Sequence, residues 1–262
     1  MNYIDQLGKV VTLSGIPEKV VSLVPSQTEL LYELGLAERV VGITKFCVHP
    51  PEWFRSKPRV GGTKTVDVEK LKRLAPDLII ANKEENLREQ VEELQKTFPV
   101  WTSDVNNLED AISMILSVGT ITGTGEASCN LSSDIRTQFS TLADHGFRRL
   151  RTAYLIWKDP YMSAGGDTFI HDMLERAGLS NVFGASSRYP EINPETLREK
   201  KTEVVLLSSE PYPFKQKHLD AMQEQLPSAR VLLVDGEMFS WYGSRLLKAP
   251  GYFLDLRKQL DL

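Results

Sequence analysis

Cysteine is scarce in this sequence, with only Cys47 and Cys129 among 262 residues. Two cysteines exclude a disulfide framework, and their spacing leaves open whether they pair at all. The chain also has no run approaching the roughly 18 to 20 apolar residues that a membrane-spanning helix requires. Its start contains Asp5 and Glu18 and no cationic segment, so we expect no secretory signal there. These absences predict a soluble chain, either cytoplasmic or trimmed to its mature form.

Excess charge of one sign is missing as well, because 31 Lys and Arg oppose 35 Asp and Glu for a net charge of −4. The densest cationic cluster, Arg148, Arg149 and Arg151, is typical of a solvated helix end, so we expect no nucleic-acid partner. The Walker loop, the dinucleotide fingerprint and the paired-histidine zinc motif are absent. Ser26 follows a predicted strand but lacks the flanking glycines of a hydrolase elbow. We therefore expect that the protein is not an enzyme.

The sequence contains a weak internal repeat, in which Asp67 of the first copy corresponds to Asn193 of the second, 126 positions later. Each copy is predicted to have a helix cap at that residue, then a short helix, then an apolar strand. The Gly61-Gly62 turn precedes the first copy. The same offset relates Glu69 to Glu195, Leu71 to Leu197, and Asp77 to Glu203. Two similar α/β lobes would explain this repeat. The alternative is chance similarity, because short helix-strand units look alike in any α/β protein.

Strands alternate with helices along the whole chain, which favours parallel sheets with right-handed crossovers. A helix from Ala127 to about His145 would be roughly 30 Å long, enough to bridge two lobes. We predict an N-terminal lobe over 1–119, a linker and backbone helix over 120–147, and a C-terminal lobe over 148–262.

Local signals add four predictions. An antiparallel hairpin is predicted over 3–13, and Ser26 with Glu29 has the spacing of a capping box for a helix through Leu34. Residues 44–58 are predicted as a loop. The alternating glycines and threonines of 119–125 are predicted to break the helical pattern.

In parallel sheets, ligands bind beyond the carboxyl ends of the strands, and much of the aromatic content of this chain lies there. Facing loops of two lobes would form a cleft for a flat or bulky small molecule. Aromatic rings would stack on it, Lys64 and Arg245 would pair with its carboxylates or phosphate, and the Gly165-Gly166 turn would cradle an anion. The alternative for each residue is a place in the core. The candidate ligand-binding residues are Pro25, Ser26, Phe46, His49, Trp53, Thr63, Lys64, Trp157, Gly165, Gly166, Trp241, Tyr242 and Arg245.

Four segments carry a family resemblance. They are VVSLVPSQTELLYELGL, VGITKF followed by VHPP, VGG followed by TVDVEKLKRLAPDLIIA, and SAGGDTFIHDMLERAGL followed by NVF. In this order and spacing they resemble the ABC-transporter substrate-binding proteins of the helical-backbone class, especially the cobalamin-binding members, over nearly the whole chain. The resemblance implies an α/β fold of the class III periplasmic-binding-protein type. Two Rossmann-like lobes with parallel sheets would be joined by a single long α-helix and would move little on ligand binding.

The resemblance also implies a function. Proteins of that family bind cobalamin, iron-siderophores, haem or metal ions and hand them to a membrane permease. The resemblance further implies that one exposed glutamate in each lobe, Glu69 and Glu195, contacts arginines of the permease. A carboxylate suits the first turn of a helix, where the helix dipole favours negative charge. Acidic residues are common in first turns, so the position alone leaves the docking role open.

Departures from the cobalamin-binding pattern leave the ligand open. His49 replaces a tyrosine before the paired prolines, Thr63 replaces a tryptophan, and Glu237-Met238 replaces an aspartate-tryptophan pair. Cys47 and His49 alternate in an extended segment and would suit a soft or borderline metal, with His171 as a third ligand. The alternative for these residues is packing or surface.

We therefore expect a monomeric binding protein that captures a metal-bearing cofactor, a corrinoid first and an iron-siderophore or haem next, for an ABC permease. The alternative is a cytoplasmic corrinoid- or metal-binding protein of the same fold that serves no transporter.

Overall fold

The computed structural model describes residues 1–260, which form two compact units. The first unit comprises Met1–Val105, Glu109–Asp134 and Tyr242–Arg245, and the second comprises Asn106–Leu108, Ile135–Trp241 and the chain from Leu246 onward. Each unit has its own sheet flanked by helices, which confirms the predicted two-lobed α/β fold. No helix in the described part of the chain combines the length and apolar character needed to cross a bilayer.

The first unit begins with the predicted antiparallel hairpin, β1 (Asn2–Ile4) and β2 (Val10–Thr12). Its main sheet is fully parallel and consists of β3 (Val20–Ser22), β4 (Val40–Ile43), β5 (Leu78–Asn82) and β6 (Val100–Ser103), in the order β4-β3-β5-β6. The helices in this part of the chain are α1 (Pro25–Glu33), α2 (Pro51–Ser56), α3 (Val68–Leu74), α4 (Arg88–Gln95), α5 (Leu108–Thr122) and α6 (Gly125–Ala143). The chain of α6 passes from the first unit to the second between Asp134 and Ile135.

The sheet of the second unit is mixed. Its strands are β7 (Leu150–Trp157), β8 (Tyr161–Ser163), β9 (Leu179–Asn181), β10 (Glu191–Ile192), β11 (Val204–Ser208) and β12 (Arg230–Val234). The parallel strands lie in the order β9-β7-β11-β12, which repeats the order of the first sheet. The antiparallel strands β8 and β10 depart from the predicted parallel sheet, because the three residues between β7 and β8 are too few for a parallel crossover. The remaining helices are α7 (Phe169–Arg176), α8 (Pro194–Glu199), α9 (Gln216–Gln225), α10 (Glu237–Ser240), a 3₁₀ helix (Ser244–Leu247) and α11 (Ala249–Leu260).

The internal repeat is a structural repeat. Asp67 Oδ1 accepts from Lys70 N–H at 2.9 Å and caps α3, and Asn193 Oδ1 accepts from Thr196 N–H at 2.8 Å and caps α8. The strands that follow, β5 and β11, begin and end at positions related by the same offset.

A carboxylate precedes each of these two strands and fixes the neighbouring central strand. Asp77 accepts from the N–H groups of Glu18 and Lys19, at 2.9 Å each, just before β3. Glu203 accepts from Arg151 N–H of β7 at 2.8 Å. The two acidic residues therefore fix the register between adjacent parallel strands in both sheets.

Each unit also encloses its own apolar core. Leu71 of α3 is fully buried in a cluster with the sheet of the first unit, and Leu197 of α8 is fully buried in the corresponding cluster of the second. The repeat therefore extends from caps and strands to the packing of the helix on its sheet.

The predicted capping box at Ser26 is wrong. Val24 is the N-cap of α1, no side chain caps this helix, and Pro25 takes the first helical position. Proline suits that position because its φ is already helical and it has no N–H to satisfy. Ser26 is therefore inside the first turn rather than in front of it.

Two other local predictions also need correction. Residues 44–58 contain the helix α2, which Pro51 opens in the same way that Pro25 opens α1. Gly119 lies within α5, and the helical pattern breaks only at Gly123, with φ +70°, and Thr124. A Cβ at Gly119 would lie 2.0 Å from Ser128 Oγ, so this glycine permits the close approach of α6 to α5.

Candidate ligand-binding site

Buried amide and hydroxyl side chains fix the carboxyl ends of the strands in the first unit. Gln27 of α1 donates through Nε2 to Ser103 Oγ at the end of β6, and Asn82 at the end of β5 donates to the same oxygen over 3.0 Å. Asn86 Oδ1 accepts from Asn82 N–H at 2.9 Å, and its Nδ2 donates to Thr63 O at 2.8 Å. Because these groups hold one another, the loops at this edge of the sheet are preorganised.

Phe46 is the large aromatic side chain that this edge exposes. The residue follows β4 and is 52% exposed, and Lys45 Nζ lies 5.1 Å from the ring centroid. Thr63 is half-buried and Lys64 is exposed on the neighbouring Gly-rich turn. These three candidates present an aromatic face and a cation on the surface of the first unit.

The Cys47 thiol is fully buried among hydroxyl groups. Thr28 Oγ1 donates to Cys47 Sγ over 3.0 Å, and Thr44 Oγ1 lies 3.1 Å from the same sulfur. Burial raises the pKa of the Cys47 thiol, which favours the neutral form over the thiolate that binds metals. His49 is half-buried, and exposed Val48 stands between the two residues.

Within residues 1–260, no group of three or more His, Cys, Asp or Glu side chains is placed to hold a metal ion. His171 belongs to the second unit, where its Nδ1 lies 3.3 Å from Asn181 Nδ2. The metal site at Cys47 and His49 stays a prediction.

Three other candidates of the first unit are buried. Pro25 and Ser26 lie in the first turn of α1, and Trp53 is 3% exposed with its ring edge-on to Tyr32 at 5.3 Å between centroids. Lys57 Nζ lies 5.3 Å from the Trp53 ring centroid. Trp53 therefore packs with residues of its own unit in the described structure.

Tyr242 and Arg245 lie in the short segment that belongs to the first unit, and both are 7% exposed. Arg245 Nε donates to Glu29 Oε2 at 2.9 Å, so the guanidinium that the sequence assigned to a ligand anion pairs with a carboxylate of α1 instead. Gly243, with φ +123°, lies against Leu30 and the carbonyl of Ser26. This segment thus covers the first turn of α1 and explains the burial of Ser26.

In the second unit, Trp157 ends β7 and keeps 41% of its surface exposed. Its ring meets Tyr212 edge-on at 5.7 Å, and Tyr212 in turn contacts Phe214 at 4.8 Å and His218 at 5.5 Å between centroids. The carboxyl ends of β7 and β11 therefore carry a connected aromatic surface with Trp157 as its exposed member.

Trp241 is buried and anchored by a carboxyl group. Its Nε1 donates to Glu210 Oε1 at 2.9 Å, and Ser240 Oγ donates to the same oxygen at 2.6 Å. Burial raises the pKa of the Glu210 carboxyl, and the nearby charges of Glu237 and Asp235 act in the same direction against the two hydrogen bonds. The Trp241 indole, which we predicted to stack on a ligand, is thus held by the Glu210 side chain of the same unit.

The predicted anion cradle at Gly165 and Gly166 is not formed, because both N–H groups are already used. Gly165 N–H donates to Arg188 O at 2.7 Å and Gly166 N–H donates to Ser186 O at 2.8 Å. A Cβ at Gly166 would lie 2.0 Å from Gly184 O. These glycines therefore allow the segment around 184–188 to pair closely with the turn.

Glu69 and Glu195 occupy equivalent, exposed positions in the first turns of α3 and α8. Their side chains are 71% and 80% exposed. Each has a cation three residues on, with Lys72 Nζ at 2.8 Å from Glu69 and Arg198 Nη1 at 3.6 Å from Glu195. Such exposed pairs are weak, which leaves both carboxylates accessible to stronger partners.

Sequence reasoning missed the polar groups that hold these loops. In the sequence Gln27 is indistinguishable from an ordinary helical residue, because its hydrogen-bond partner Ser103 is 76 positions away. Asn82 and Asn86 gave a usable signal, because two asparagines one helical turn apart directly after a buried strand are typical of a structured turn.

Comparison with known proteins agrees with this architecture. The sequence profile of the family described as "Periplasmic binding protein" matches residues 20–232. Among curated relatives, the vitamin B12-binding protein of Pectobacterium atrosepticum is 24% identical over 256 residues, covering 94% of this chain and 91% of that protein.

Two solved structures share the fold. The periplasmic vitamin B12 binding protein of Vibrio cholerae has a TM-score of 0.80 at 21% identity and covers 94% of this chain and 98% of its own. The molybdate periplasmic binding protein of Haemophilus influenzae has a TM-score of 0.83 at 17% identity, with coverage of 100% and 91%. The chain therefore belongs to the periplasmic binding protein family and, within it, to class III, the helical-backbone substrate-binding proteins of ABC transporters.

Proposed function

We propose that this protein captures a metal-bearing cofactor, with a corrinoid such as cobalamin first among the candidates, and delivers it unchanged to an ABC permease. The support from relatives is the vitamin B12-binding protein that aligns over 94% of this chain. The proposed location is periplasmic or otherwise extracytoplasmic, as the names of the two solved structures above state for those proteins, and the proposed binding unit is a single copy of the chain.

One observation carries the proposal for a flat ligand. Each unit exposes a large aromatic ring at the carboxyl end of a parallel strand, Phe46 after β4 and Trp157 at the end of β7. Most large apolar side chains of a folded protein are buried, so such a ring on the edge where ligands bind is a recognition group by position. Aromatic faces stack on planar macrocycles at little cost in conformational entropy.

The fold alone does not select the ligand, since the similar structure from Haemophilus influenzae is named for molybdate. Haem and ferric siderophores are the other candidates of the same chemical class. The side chains at the two strand edges must therefore decide the ligand, and a direct titration tests them.

The experiment is a thermal-shift and absorbance titration with cobalamin, cobinamide, haem, a ferric siderophore and Zn²⁺. We expect a corrinoid to raise the melting temperature in proportion to the logarithm of its concentration. Phe46→Ala and Trp157→Ala should each weaken binding about tenfold, because a stacked ring contributes on the order of 1 kcal/mol beyond its buried area. Ile16→Ala is the matched control, since Ile16 is 54% exposed but lies in the segment that leads into the start of β3, away from the carboxyl ends of the strands.

The same titration separates the remaining alternatives. Loss of the corrinoid effect in His49→Ala would add the imidazole to the site, and stabilisation by Zn²⁺ that disappears in Cys47→Ser would support the metal prediction. If none of the five ligands stabilises the protein, the metal-cofactor proposal fails.

A further inference from the structure

The edge of β2 that faces away from β1 is open. Leu13 N–H donates to Met1 O and Asp5 N–H donates to Lys9 O, both at 2.9 Å, so the odd-numbered residues of β2 direct their backbone groups at β1. The N–H and C=O groups of Val10 and Thr12 therefore point the other way. No partner for them is present among residues 1–260.

The outer edge of β6 is also open, because β6 is the last strand of its sheet. Ile79 N–H donates to Pro99 O at 2.9 Å, and Lys83 N–H donates to Ser103 O at 2.9 Å, so residues 99, 101 and 103 face β5. Val100 and Thr102 face outward. The hairpin turn closes only the far end of this edge, where Gln6 N–H donates to Thr102 O at 3.1 Å.

A groove of about 420 Å³ lies between these two edges, with Val10 to Thr12 on one wall and Phe98 to Val100 on the other. An extended segment of three residues is about 10 Å long, which is the length of β2. Exposed strand edges are templates for another strand, and here two of them border one groove. A chain placed between them would find backbone donors and acceptors on both sides.

A second cavity of about 270 Å³ adjoins the groove, and Lys9 lines both. The residues that line it include Leu7, Val91 and Thr102. Val100 lines the groove and Thr102 lines the cavity. The two residues lie on the same face of β6, so the cavity is displaced from the groove by the distance between alternate residues of a strand. An apolar side chain of an added strand would find a place there.

The surface next to the groove is also unusually apolar for an exposed hairpin. Ile4 and Val10 are directly opposite each other in β1 and β2 and are 68% and 63% exposed. Contiguous exposed apolar side chains beside an open edge are typical of an interaction site.

We propose that this groove binds a peptide. An extended segment of a partner protein adds as a strand between β2 and β6 and places one large apolar side chain in the adjoining 270 Å³ cavity. In this mode the main-chain hydrogen bonds give affinity and the side-chain cavity gives specificity. The site lies at the sheet edge of the first unit and does not use Phe46 or Trp157.

The test uses short blocked peptides rich in Val and Thr, with Leu, Phe or Ser at the central position. Amide hydrogen exchange followed by NMR should slow at Val10, Thr12 and Val100 when the Leu or Phe peptide is added, and much less with the Ser peptide. Thr12→Pro removes one outward N–H and leaves the backbone bonds to β1 in place, and proline is tolerated on edge strands. Thr12→Pro and Thr12→Val both lose the hydrogen bond from Thr12 Oγ1 to Asn2 Oδ1, so this loss cancels in the comparison. It should weaken peptide binding about tenfold relative to Thr12→Val, which keeps the N–H.

Three outcomes would overturn the proposal. They are unchanged exchange at all three amides with every peptide, equal affinity of Thr12→Pro and Thr12→Val, and slowed exchange that depends on protein concentration without peptide. The last would assign the edges to a second copy of the chain. If Thr12→Pro does not fold, Val10→Pro against Val10→Ile makes the same comparison at the other outward residue, and the exchange measurement on the unmodified protein stands by itself.

Discussion

Gly166 is a residue at which one methyl group decides stability. A Cβ there would lie 2.0 Å from the carbonyl oxygen of Gly184, a backbone atom that cannot turn aside. We expect Gly166→Ala to lower the free energy of unfolding by about 1 to 3 kcal/mol, as overpacking does in other interiors. Urea denaturation measures this change.

Gly251→Ala is the matched control for that experiment. Gly251 lies near the start of α11 with open space around the position of a Cβ, so alanine should be neutral or stabilise the helix by up to about 1 kcal/mol. Equal effects of the two substitutions would show that the segment around Gly184 moves freely and that the contact is unimportant.

Glu210 predicts a dependence of stability on pH. Because burial raises the pKa of this carboxyl above its value in the unfolded chain, the folded state binds the proton more tightly. Its contribution is therefore most favourable below the unfolded pKa and is lost as the pH rises through the folded pKa. Glu210→Gln keeps an oxygen that accepts from Ser240 and Trp241 but does not titrate.

We expect urea unfolding to show that Glu210→Gln is more stable than the unmodified protein near neutral pH. This advantage should shrink as the pH falls towards the ordinary range of glutamate, about 4.3. A difference that stays constant with pH, or one that grows in acid, would contradict the raised pKa.

At the scale of elements, the two caps of the repeat give paired predictions. Asp67→Ala and Asn193→Ala each remove one side-chain acceptor from a helix N-terminus, at the start of α3 and of α8. Each should cost about 1 kcal/mol of unfolding free energy, and Asp67→Asn should recover most of the loss in α3. Because the caps lie in different units, the double variant should lose the sum of the two. A strong departure from additivity would mean that the helices are energetically coupled.

Elements were predictable from sequence wherever the signal was local. The hairpin predicted over 3–13 is formed by Asn2–Ile4 and Val10–Thr12, and the caps at Asp67 and Asn193 were predicted from residue type and spacing. Local signals failed where two of them competed. Ser26 has the spacing of a cap, but Pro25 before it has a stronger preference for the first helical position, so the helix starts earlier.

Site residues were less predictable because their partners are distant in sequence. The Arg245–Glu29 pair joins positions 216 apart, and Trp241 and Glu210 are 31 apart. A sequence marks such residues as aromatic or charged at a strand end, but whether they face a ligand or each other depends on tertiary packing. Only Phe46 and Trp157 among the large aromatic candidates are substantially exposed.

At the scale of the molecule, the two units share a strand order and an equivalent exposed glutamate. Glu69 and Glu195 are each held in the first turn of the helix that precedes the third strand of their sheet. Two carboxylates at equivalent positions suit a partner that engages both units, and arginine is the side chain that binds a carboxylate through two hydrogen bonds. We therefore predict that both residues serve docking to the permease and neither serves ligand binding.

Charge reversal tests this prediction with the protein, the proposed corrinoid ligand and the proposed partner permease in proteoliposomes. Glu69→Lys and Glu195→Lys should each lower ligand delivery about tenfold or more, chiefly through slower and more salt-sensitive association, while ligand affinity in solution stays unchanged. Glu89→Lys is the matched control, because Glu89 is an exposed acid in the first turn of α4. Equal loss in all three variants would reduce the effect to net charge, and unchanged delivery in the double reversal would remove the two glutamates from the docking surface.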